Sequence, residues 1–183
     1  KDGPVHVHDL GLTEPPCVFV LIVTGPLHGY DRKAAAKEAI AWGLRHHTQQ
    51  EKNEKGELAA IPPDLATGME VFEAWGRALK DGRLKLPWAP ALHAGYYLEA
   101  RAHGAGFLRK AAKEYFPAHA AVLEKSARHF DRQAAELKAL AALFPAREPA
   151  ALQDTQKIAA AIAHLTAIAN EHDAAMTALA ETK

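Results

Sequence analysis

Tyr97 and Arg101 stand four residues apart in the stretch from His93 to Phe116, HAGYYLEARAHGAGFLRKAAKEYF. On a helix that spacing makes them neighbours. An arginine is permanently charged and carries five N–H donors in a planar fork, which suits a carboxylate. The carboxylate could belong to another side chain or to a ligand. Glu99 and His103 repeat the four-residue spacing on another face. Trp42, Trp75, Trp88, Tyr96 and His93 add aromatic surface in the same half of the chain. Trp75, Tyr97 and Arg101 are therefore the leading ligand-binding candidates, followed by His93 and Glu99. No residue pattern identifies a catalytic group.

Eleven histidines raise the question of a metal. His6 and His8, with Asp9, would place two imidazoles on one strand face, but further ligands would have to come from elsewhere. His46 and His47 are adjacent, so on a helix they point about 100° apart and do not share one ion. There is no HExxH pattern and no Cys/His cluster, so no metal or cofactor is assigned. His172 falls where an apolar residue is expected and reads as a buried neutral imidazole with a partner, or as a register-setting polar residue. His119, His129 and His164 read as solvated helix positions. Cys17 follows Pro15-Pro16 and enters an apolar run, a place for a small core residue rather than an activated nucleophile. GxSxG, P-loop and GxGxxG patterns are absent.

The elements that must position these residues follow from patterning. With 183 residues, 49% of them hydrophobic and 24% charged, the chain is long and apolar enough for one globular domain. Lys+Arg and Asp+Glu are both 22, so there is no basic excess to favour nucleic acid. No apolar run approaches the ~18 residues of a membrane span. A single cysteine excludes an intramolecular disulfide and fits a cytoplasmic protein. The chain opens on Lys1 without a leader pattern, as a piece of a longer protein would.

Val5–His8 alternates and Val18–Val23 is a β-branched run, giving two short N-terminal strands. From Asp31, a plausible N-cap, a helix carries the stripe Ala36, Ile40, Leu44 and His47. Gln49–Glu57 is a polar loop. A second helix starts near Pro62-Pro63 with Leu65, Met69, Phe72, Trp75 or Gly76, and Leu79 inward, an outward Glu73–Arg77 pair, and Gly82 as C′ residue. Pro87 to Pro90 forms a rigid linker. The central helix, His93–Phe116, presents Tyr97, Ala100, Gly104, Phe107, Ala111 and Tyr115 on one face, and Gly104 and Gly106 call for close approach by a helix or a ligand. After Pro117, two helices have matched seams. The first holds Leu123, Ala127, Phe130, Ala134, Leu137, Ala141 and Phe144; the second holds Ile158, Ile162, Leu165, Ala169, His172, Met176 and Leu179. Joined by the short Pro145–Pro149 segment, they form an antiparallel hairpin.

The run Gly68–Trp75, then Leu79, a proline-interrupted linker, Tyr96-Tyr97-Leu98-Glu99-Ala100-Arg101 with Phe107-Leu108, and a long alanine-rich helical hairpin together resemble a known family. They are similar to the C-terminal helical part of butirosin-biosynthesis acyltransferase-like proteins, which themselves resemble papain-like cysteine peptidases. The likeness covers roughly Gly68 to Pro145. It implies a helical cover over a site whose cysteine and histidine lie in a separate α/β portion. Cys17 does not match that cysteine's place, and the strand motif carrying the histidine is not found here. The resemblance therefore transfers no catalytic residue to this chain.

The expectation is a mainly α protein: a single domain over 1–183, with a strand-forming segment to residue 30, three helices over 31–116 and a hairpin over 117–183. Its expected role is small-molecule binding or substrate covering, not catalysis alone. The expected companions are a small-molecule ligand and a second copy or a missing α/β portion, with no nucleic acid and no membrane. A dimerising interaction module and a metal-dependent helical-bundle hydrolase are the alternatives.

Overall fold

The computed structural model describes residues 29–47, 69–84, 86, 89–145 and 148–182. Five helices follow in order: α1 (Arg32–His47), α2 (Glu70–Lys80), α3 (Ala89–Glu114), α4 (Ala120–Leu143) and α5 (Thr155–Ala180). Short 3-10 turns at Pro117–His119 and Pro149–Gln153 lead into α4 and α5. No strand occurs among the described residues. The two expected strands, Cys17, the His6/His8 pair, Trp88 and the Gln49–Glu57 loop lie outside them. All five helices belong to the compact unit formed by residues 32–183.

Helix ends obey local chemistry. Asp154 caps α5, its Oδ1 accepting from the backbone N–H of Gln156 at 2.9 Å and of Lys157 at 3.1 Å. Gly82, at φ 61°, closes α2 as the sequence predicts. Its N–H donates to Leu79 O and that of Arg83 to Ala78 O, the paired bonds of a Schellman motif. Glu73 and Arg77 pair at 3.6 Å on the exposed side of α2.

The expected α4/α5 hairpin is present, but α3 packs along α4 at least as extensively. α4 is thus the middle helix, flanked by α3 and α5, with α1 and α2 laid on α5. Gly104 explains the tight α3/α4 contact: a Cβ there would stand 3.1 Å from Cδ2 of Phe130. A helix, not a ligand, uses that glycine. Gly106 faces open space.

Three expectations need correction. The central helix begins at Ala89, not His93, because Pro90 is tolerated in a first turn where no intrahelical N–H bond is needed. Its inner face is rotated from the expected one. Ala94, Ala105, Leu108, Ala111 and Ala112 are buried, whereas Ala100 and Phe107 are exposed. Alanines occupy both sides of this helix, so residue type does not separate them. His129 and His164 are not free in solvent: they pair with Glu171 at 2.7 Å and Glu136 at 2.6 Å.

These two pairs are reciprocal. His129 and Glu136 are seven apart on α4, and His164 and Glu171 are seven apart on α5, running the other way. A slip of one heptad would set Glu136 against Glu171, or His129 against His164. Like charges then meet in one direction and two imidazoles in the other, so the pairs specify register.

Candidate functional site

The bundle interior has two apolar clusters. One gathers Leu44, Leu108, Leu123, Phe130, Met176 and Leu179. The other gathers Phe72, Leu79, Leu137, Leu140, Phe144, Leu165 and Ile168. Between them each long helix places one polar residue in register: Arg101 after Ala94 and before Ala105, Gln133 between Phe130 and Leu137, and His172 between Ala169 and Ala175. Gln133 is fully buried and His172 only 7% exposed.

On the outer side of this layer, α2 and α3 form an aromatic groove. The Trp75 ring lies 6.3 Å from that of His93, near edge-on, and 6.3 Å from that of Tyr97. With Val71, Leu84 and Pro90 they line an open groove of 240 Å³. The step of four from His93 to Tyr97 puts both on the α3 face toward Trp75. Three of the five predicted ligand-binding residues thus converge. Glu99 is exposed and does not line this groove. Arg101 does not line it either; it is half-buried, with its guanidinium carbon 5.5 Å from the centre of the Phe130 ring.

Burial pushes the basicity of Arg101 below its ordinary value, with Tyr97 acting in the opposite sense. Its Nε has no hydrogen-bond partner, and no ion pair to it exists among the described residues. The stacked Phe130 face supplies some cation–π attraction but no acceptor. His172 is pushed down to about 3, first by desolvation and then by Arg101 and His47, so it is neutral at ordinary pH. Its ring meets those of His47 at 5.2 Å and Phe72 at 6.3 Å. Phe72 also lies 6.0 Å from Tyr97, which links the inner layer to the groove. Nδ1 of His172, Nδ1 of His47 and Oε1 of Gln133 are all buried without a partner. The expected partner of His172 is therefore an edge-on ring contact, not a hydrogen bond at Nδ1.

The sequence points to Trp75, His93 and Tyr97 but not to the meeting of His47 with His172 beside Arg101. The one available signal was three polar residues at inward positions of otherwise apolar stripes. Among the described residues no group of three or more His, Cys, Asp or Glu side chains is placed to hold a metal ion. No described helix is long and apolar enough to cross a membrane. Comparison with family models, curated proteins and solved structures finds no match to this chain.

Proposed function

We propose that this helical domain binds or covers a small molecule at the α2/α3 groove and does not catalyse a reaction alone. The convergence of Trp75, His93 and Tyr97 on one open apolar groove carries this reading. Aromatic walls with few polar groups suit the body of an organic ligand, and His93 supplies a polar atom for orientation. Arg101, one helical turn beyond Tyr97, supports a ligand bearing a negative group. That the domain serves as the cover of an acyltransferase- or cysteine peptidase-like α/β portion rests on the Gly68–Pro145 sequence pattern alone.

Hippurate is a suitable probe, having an aromatic acyl group, an amide and a carboxylate. It should raise the thermal midpoint of the full chain, and Trp75→Ala, confirmed as helical by circular dichroism, should lose that protection. Equal protection in both proteins would refute the groove.

A second role, as an interaction module, is favoured by one observation. Leu92, Tyr96 and Phe107 are exposed along one side of α3, opposite Arg101. If that stripe pairs two copies, light scattering will show a mass that rises with concentration and returns to monomer in Tyr96→Lys. A concentration-independent monomer would exclude it.

A further inference from the structure

We propose that the polar layer at Arg101, His172 and His47 is an internal binding site for the carboxylate of a small organic acid. It would select for negative charge while Trp75, His93 and Tyr97 hold the ligand's uncharged body. The division of labour rests on the groove proposed above; the anion site itself does not.

The first support is a charge without a counter-charge. Arg101 stays protonated even when buried, because a guanidinium does not give up its proton in proteins. A cation drawn out of water is normally paired with a carboxylate; Arg101 is half-buried and its Nε fully so. Among the described residues no carboxylate pairs with Arg101. The side chains shown to act on it or lie beside it are Tyr97 of α3, Phe130 of α4 and His172 of α5. His47 of α1 joins them through its ring contact with His172. Asp173, next to His172 in sequence, is directed at His47 Nε2, 3.6 Å away, and is itself half exposed.

The second support is independent of charge. Four buried polar atoms in this region lack partners: Arg101 Nε, His172 Nδ1, His47 Nδ1 and Gln133 Oε1. Buried polar groups are nearly always hydrogen-bonded, so four orphans from four helices mark a place where a partner belongs. Arg101 Nε is a donor, and each imidazole nitrogen becomes one in the appropriate tautomer. One guanidinium and two imidazole donors match the two oxygens of a carboxylate.

Phe72 borders both the layer and the surface. Its ring touches both His172 and Tyr97, and it also lines a second groove of 330 Å³ between α2 and α5. Tyr97 and Arg101 are adjacent on α3, about 6 Å apart at Cβ. A carboxylate held by Arg101 therefore leaves the body of a short acid within reach of the Trp75–Tyr97 walls.

The test is an NMR titration of the His172 ring in the full chain with acetate, which needs no aromatic wall, against neutral acetamide. Acetate should shift the His172 signal saturably, with a Kd of about 1 mM or tighter. It should also raise the pH at which His172 titrates, since a neighbouring negative charge favours the imidazolium. Acetamide should do neither. Arg101→Met should abolish the acetate response, and Trp75→Ala should leave it intact. A His172 signal indifferent to acetate, or equally responsive to acetamide, would overturn the proposal. These two comparisons use the unaltered chain, so a folding defect in a variant does not affect them. Failure of the groove alone shows differently: acetate still moves His172, but hippurate binds no more tightly than acetate.

Discussion

Glu171→Gln is expected to destabilise the protein in a pH-dependent way. Oε2 of Glu171 accepts from Nε of Arg132 at 2.8 Å and lies 2.7 Å from Nδ1 of His129. That nitrogen also lies 2.6 Å from Nη2 of Arg132, so it donates to the carboxylate or accepts from the guanidinium, not both. Glu171 is 27% exposed, between an exposed and a buried setting. Hydrogen bonds to charged groups contribute about 1.5–3 kcal/mol, and exposed ion pairs about 0.2–1 kcal/mol. With Arg132 half exposed, an intermediate loss of about 1–2 kcal/mol follows for the glutamine, which keeps shape and one acceptor. For a domain of this size that is about 3–6 °C in thermal midpoint.

The pH dependence has a definite sign. Burial pushes the Glu171 carboxyl upward, but bonds from His129 and Arg132 outweigh it and hold the group below the usual carboxylate range. A depressed folded-state pKa stabilises above the unfolded value of about 4.3, and the contribution is lost as pH falls through the folded value. The gap between the native chain and Glu171→Gln should therefore be widest near neutrality and shrink toward about pH 3. Thermal melts followed by circular dichroism at both pH values measure it. No gap at neutral pH, or an unchanged gap in acid, would refute the assignment.

Other outcomes follow from single positions. Gly106→Ala should stabilise by about 1 kcal/mol in urea denaturation, since a methyl there meets nothing within 4 Å. Gly104→Ala should be the less stable of the two, because its methyl presses on the Phe130 ring at 3.1 Å. Asp154→Ala should cost about 1 kcal/mol by uncapping α5, measured the same way. Arg101→Met should raise stability by about 1 kcal/mol in buffer free of carboxylates, as a half-buried charge without a carboxylate partner gives way to an apolar chain of similar length. Loss of stability there would mean that the native layer already compensates Arg101.

Signals confined to one helix were legible in the sequence. The seams of α4 and α5 were visible because Leu, Ile, Phe and Met alternate with polar residues at helical steps. Gly82 and the Glu73–Arg77 pair needed only neighbours within one turn. The inner face of α3 was not legible, because its buried positions are largely alanine and so are several exposed ones; Ala94 and Ala100 differ in burial, not in type. The His129–Glu171 and His164–Glu136 pairs depend on how two helices are laid together, which no local spacing reports. In the candidate site, Trp75, His93 and Tyr97 stood out by type. Arg101 stood out too, but as an edge residue, whereas it lies in the polar layer between two apolar clusters. His47 and His172 come from opposite ends of the described chain, and their meeting is a property of the tertiary fold.

The most direct test of the proposed role is calorimetric titration of hippurate into the full chain and into Trp75→Ala. Saturable binding to the native chain, weakened at least tenfold by the substitution, is the expected result. Absence of binding to the native chain, or equal affinity in both, would contradict a ligand site at the α2/α3 groove.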